Sequence, residues 1–115
     1  MASTVTETTA LKTVFHDHNK RRTYIKLTEM MRRSKIDPSL IHDARKFVEQ
    51  HMMPDPYQRK YAERWMVMLA LPIEEIADRL LADTPEGDLL RDTAPVFGKG
   101  LTSREVVELM DRANA

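Results

Sequence analysis

The sequence predicts an all-α fold, a compact bundle of four to five short helices with a flexible N-terminal arm. Three observations predict it. Apolar residues recur three and four apart through most of the chain, the period of one helix face. Asp-Pro and Pro steps punctuate these stretches as helix starts and stops. Glycine is scarce, at 3 of 115 residues, and β-branched residues thin out after the first turns, which disfavours a sandwich or barrel.

Residues 1–15 read as the flexible arm, because the Ser- and Thr-rich start has no apolar stripe to bury. Residues 16–115 read as a single helical domain, the usual count at this length. Its first element runs from about residue 19 to 34, with Tyr24, Leu27 and Met31 on one face. Residues 23–28 also alternate and carry β-branched side chains, so helix and short strand both stand there. Asp37-Pro38 opens a helix to about residue 53 that carries Leu40, Ile41, Ala44, Phe47 and Val48, and Pro54 stops it. Asp55-Pro56 repeats the signal, and the helix it opens places Tyr57, Tyr61, Trp65, Met68 and Leu69 on one face. Its Met66-Val67-Met68-Leu69 run is apolar nearly all round, which marks this helix as the central one. Pro72 ends it and opens another, with Ile73, Ile76, Ala77, Leu80 and Leu81 facing inward. Residues 83–87 form a turn, which a short helix over about 86–92 could follow, and 95–100 form a loop. Thr102-Ser-Arg-Glu105 is a capping box that starts the last helix.

The formal net charge is zero, but the charge is unevenly spread. Residues 12–35 hold 8 Lys and Arg against 2 Asp and Glu, whereas residues 72–115 hold 5 against 10. A neutral total therefore hides a basic front and an acidic back. With no cysteine, thiolate catalysis, disulfides and cysteine-based metal sites are excluded, and a reducing cytoplasm is compatible. The start of the chain lacks the apolar core of a signal peptide. No apolar run approaches the roughly 18 residues of a membrane span, so no membrane contact is expected.

The basic stretch is the strongest functional signal. Lys20, Arg21, Arg22, Lys26, Arg32, Arg33 and Lys35 bracket an apolar centre and could track phosphates, with Tyr24 stacking on a base or ribose. The plainer reading is a solvated face, or one that pairs with the protein's own acidic half. A second surface is the aromatic and Met stripe of Met30, Met53, Tyr57, Tyr61, Trp65 and Met66, which suits either core packing or an adaptable partner interface. His16-Asp-His18 offers possible metal ligands, but His42 and His51 point to opposite sides of one helix, so no metal site is assigned. Gly98-Lys-Gly100 is too short to cradle a phosphate specifically, and neither a nucleophile elbow nor a Walker loop is present.

Three segments resemble DNA-binding units. A strand at 23–28 followed by two helices resembles a ribbon–helix–helix dimer, which would set that strand into the major groove. Ile73-Glu-Glu-Ile-Ala-Asp-Arg-Leu-Leu81 resembles the opening helix of a helix-turn-helix unit, with Ala77 as its small residue. The acidic residues that follow would be repelled by phosphates, which favours a plain amphipathic core helix. Leu101-Thr-Ser-Arg-Glu-Val-Val-Glu-Leu109 resembles the start of the DNA-reading domain of LuxR-type regulators. It is read here as a capped terminal helix, and no DNA-reading residues are carried over.

The expected function is a small non-enzymatic regulatory or binding domain, cytoplasmic, contacting DNA or RNA through its basic N-terminal helix. The alternative is a protein–protein interaction module, antitoxin- or inhibitor-like, that docks through the Met and aromatic face on another protein or on itself as a homodimer. Neither reading calls for a cofactor.

Overall fold

Asp17 starts the longest helix. In the computed structural model, which describes residues 11–15 and 17–115, its carboxylate accepts from the amides of Asn19 and Lys20 at 2.6 and 3.4 Å. These are orphan donors that a helix start must satisfy. The expectations placed on residues 1–10 and on His16 lie outside the described residues. Helix α1 runs His18–Ile36 and buries Tyr24, Leu27, Met30, Met31 and Ser34. Residues 23–28 are helical throughout, which removes the strand reading and with it the ribbon–helix–helix likeness. Burial decides this, because only the helical period puts Tyr24, Leu27, Met30 and Met31 on one side. Helix α1 stops before Pro38, whose ring disfavours helical backbone in the residue ahead of it.

Helix α2 is Ser39–Phe47, and it continues through a π-helical turn, Val48–Met52. Helix α3 is Arg59–Met68 and starts two residues after Tyr57. The Asp55 carboxylate, expected to cap the helix directly, instead builds a turn by accepting from the Tyr57 amide and from Gln58 Nε2, both at 2.9 Å. Helix α4 is Ile73–Leu81, with Glu74 and Glu75 in the first turn, where the dipole favours them. Helix α5 is Pro85–Asp92, capped by Thr84, which accepts from the Gly87 amide at 2.9 Å. Helix α6 is Ser103–Ala113 and starts on the expected capping box of Thr102 and Glu105. The described residues therefore hold six helices rather than four to five, because the optional short helix after the 83–87 turn forms as a full element, Pro85–Asp92. None of these helices is long and apolar enough to cross a membrane.

The centre of the bundle is α1, not α3. Helix α1 packs against α2, α4, α5 and α6, whereas Val67 on α3 is 68% exposed. An all-apolar sequence thus does not make α3 central, since one of its faces meets solvent. Trp65, Ile76, Leu80, Leu90 and Val48 are fully buried.

A polar node ties the pieces together. At the end of α4, Arg91 of α5 donates to the carbonyls of Leu80 and Ala82 at 2.7 and 2.9 Å and pairs with Asp88. The Tyr24 hydroxyl donates to the Leu81 carbonyl at 2.6 Å and accepts from the Lys12 amide at 3.1 Å. Residues 11–15, placed in the arm by the sequence, run against this node. Leu11 bridges Ala82, and Phe15 stacks edge-on against Tyr24 at 5.1 Å. Gly87 permits the close α4–α5 approach, because a Cβ there would stand 2.3 Å from the Ala82 carbonyl oxygen.

Two substitutions test this node by thermal denaturation. Gly87→Ala is expected to cost about 2 kcal/mol and lower the melting temperature by roughly 10 °C, since a backbone oxygen cannot give way easily. Arg91→Leu leaves two buried carbonyls without donors and is expected to cost about 2–4 kcal/mol.

Candidate partner-binding groove

The basic residues of α1 divide into engaged and outward groups. Lys20 pairs with Asp92 at 2.7 Å, a contact that raises its pKa. Arg32 and Arg33 both pair with Glu29 at 2.7 Å, and Arg33 reaches Glu105 of α6 at 2.7 Å as well. Arg21 points at the Ala113 carbonyl, 3.5 Å away. Arg22, Lys26 and Lys35 make no ion pair among the described residues. Tyr24 cannot stack on a base, because its ring is buried and its hydroxyl is held on both sides. The eight residues expected to read nucleic acid thus do not form one open surface. Three cations are spent on the protein's own carboxylates and the aromatic is internal.

The aromatic and Met stripe also comes apart. Trp65 is fully buried, with its indole N–H donated to Thr93 Oγ1 at 3.1 Å and its ring 6.1 Å from Phe97. Tyr57 is 88% exposed on the turn before α3, off the helix face that carries Trp65. Tyr61, Met53 and Met66 are half-buried and pack against the core, and Lys60 lies over the Tyr61 ring. Met30 is buried, yet it faces a groove that the sequence reading did not assign.

That groove runs between α1 and the loop after α5. Its first stretch, about 410 Å³, has Leu27, Met30 and Phe97 as floor, Pro95, Val96 and Leu101 as wall, and Lys26 and Lys99 beside them. Arg91 also lines it, but its guanidinium is occupied by Asp88 and the α4 carbonyls. A second stretch of about 530 Å³ adjoins it, sharing Met30, Phe97, Lys99 and Gly100 and reaching past Ile36 and Leu40, where Asp37 and Asp43 stand at its edge. The wall owes its shape to two glycines with positive φ, Gly98 at 61° and Gly100 at 73°. A Cβ on Gly98 would lie 2.4 Å from Leu40 Cδ2, so the loop lies directly on α2. The residues of this loop that matter, Val96, Phe97 and Lys99, were missed. Their signal was an aromatic between Pro95 and two glycines, since a large ring in a short loop must find burial elsewhere.

The ion network beside the groove fixes α6 on α1. Glu29 is pulled from the ordinary 4.5 down to about 2, chiefly by its hydrogen bond to Arg32 and then by Arg33. Glu105 is lowered too, by the Thr102 amide and by Arg33. Among the described residues, no cluster of three or more His, Asp or Glu side chains could hold a metal ion. Comparison with known protein families, with curated proteins and with solved structures finds no match for this chain.

The lowered Glu29 pKa sets a pH dependence. Its stabilisation is complete above the ordinary carboxylate value and is lost as pH falls from about 4.5 towards 2. The contribution is on the order of 1 kcal/mol at neutral pH, because Arg32, the main partner, is largely exposed and solvent screens the pair. Urea unfolding at pH 6 and pH 3 is expected to show this loss, and Glu29→Gln should flatten the dependence in that window.

Proposed function

We propose that the chain is a small, non-enzymatic, cytoplasmic binding domain that acts as a protein-interaction module through the groove between α1 and residues 94–101. The observation that carries this reading is the groove itself, an apolar floor of Leu27, Met30 and Phe97 rimmed by Lys26 and Lys99. Apolar clefts with a few charged groups at the edge suit a protein surface better than a phosphate backbone, which asks for a row of cations. The nucleic-acid reading keeps Arg22, Lys26 and Lys35 without an ion pair among the described residues, the first two one helical turn and about 6 Å apart along α1, while Lys20, Arg32 and Arg33 are paired with the protein's own carboxylates. A homodimer is one form that such a module could take.

Affinity isolation of the full chain from its native cells, together with salt-graded titration by duplex DNA and RNA, separates these readings. A discrete protein is expected to co-purify with the parent and with Tyr57→Glu, and to be lost with Val96→Glu, which puts a charge on the groove wall. Binding to oligonucleotides that falls steeply with salt and with Arg22→Glu plus Lys26→Glu, or a partner indifferent to Val96→Glu, would overturn the proposal.

A further inference from the structure

Resting on that reading, we infer that the groove receives a short amphipathic helix of another protein, with acidic residues on the half that runs from Lys26 to the junction at Lys99 and basic residues at the end over Asp37 and Asp43. The floor argues for a helix. Leu27, Met30, Phe97 and Leu40 offer an inserted backbone no hydrogen-bonding groups. A segment laid there must satisfy its own amides and carbonyls, and a helix does so internally. An extended peptide would need a strand edge to pair with, and the described residues form no strand.

Length agrees with a helix of a few turns. The two stretches follow α1 from Thr23 to Ile36, which spans about 20 Å at roughly 1.5 Å per residue. A partner helix of about 13 residues matches that span. Met30, at the junction of the stretches, is an adaptable side chain that can repack around an incoming apolar ridge.

Charge gives the occupant its order. Four charged residues line the groove without an ion pair among the described residues: Lys26 and Lys99 on the first stretch, Asp37 and Asp43 on the second. Lys99 stands at the junction and touches both stretches. The other two, Arg91 and Arg33, are committed to Asp88 and to Glu29 and Glu105. A uniformly acidic ligand would meet Asp37 and Asp43 with like charge, and a uniformly basic one would meet Lys26 and Lys99. Only an occupant with its charges separated end to end complements both.

Photo-cross-linking amino acids at Thr23 and at Ile36 of the full chain, in its native cells, test this. Both positions are expected to capture one partner protein within a single segment, at sites about 12–14 residues apart. Asp and Glu should flank the Thr23 site, and Lys and Arg the Ile36 site. Sites about six residues apart would mean an extended ligand and overturn the inference. So would flanks of mixed or opposite sign, adducts to nucleic acid or to a second copy of this chain, or no adduct at all. The mapped segment, made as a peptide, is then titrated against the purified chain by the emission of Trp65, the sole tryptophan, whose ring packs on Phe97. Lys26→Glu with Lys99→Glu, and Asp43→Lys alone, should each weaken binding by roughly tenfold; unchanged affinity in either overturns the charge order. If Val96→Glu releases a protein but the adducts map to an extended segment, the interaction reading stands and this inference falls.

Discussion

Three backbone carbonyls at the end of α4, those of Leu80, Leu81 and Ala82, set the terms for the packing around them. A helix end leaves acceptors without partners, and here they lie where water is excluded. Two side chains supply the donors, Tyr24 from far back in the chain on α1 and Arg91 from the next helix, α5. Meeting that demand fixes where α1 and α5 stand relative to α4. It also explains a buried arginine in a small core. Arg91 is 7% exposed, but its guanidinium finds two carbonyls, a carboxylate and the face of Tyr24 at 5.2 Å. A lysine could not spread the same donors over so wide an arc.

With α1 fixed there, the charge map follows. Its outer side faces the acidic back half of the chain, and the two neutralise each other locally. Lys20 meets Asp92 of α5, while Arg33 bridges Glu29 on its own helix and Glu105 on α6. Glu105 is the residue that completes the capping box of α6, so one carboxylate both starts that helix and anchors it. The formal net charge of zero is therefore an internal arrangement as much as a surface one.

Helix limits were legible in the sequence because they depend on neighbours in sequence. Pro38, Pro54, Pro72 and the Thr102–Glu105 box act within one turn of chain, and their physics is local. The inward stripe of Tyr24, Leu27 and Met31 was legible for the same reason. What could not be read is set by residues far apart. Trp65 looks the same in sequence whether it anchors a partner or fills a core, and Phe97 and Thr93, some thirty positions on, decide the matter. Tyr57 shares the spacing of Tyr61 and Trp65, yet the Asp55 side chain winds a turn before the helix begins and takes Tyr57 off that face. The basic run was legible as composition, but not as an accessible surface, because its partners Asp92 and Glu105 lie about seventy residues later.

The groove belongs to this second category, and its construction bears on how it would work. One wall is α1, the central helix. The other is a short loop that would be mobile if it rested on solvent alone. Phe97 prevents that by inserting against Trp65, and Gly98 lets the backbone lie on Leu40. Both walls are thus extensions of the core, and little ordering cost is left for binding. The same coupling limits how far the groove can change. Any residue replacing Phe97 or Gly98 alters the packing of α2 and α3 before it alters a ligand contact. Variation in what the groove accepts must therefore fall on its edge, at Lys26, Val96, Lys99 and Asp43, where side chains can change without disturbing Trp65.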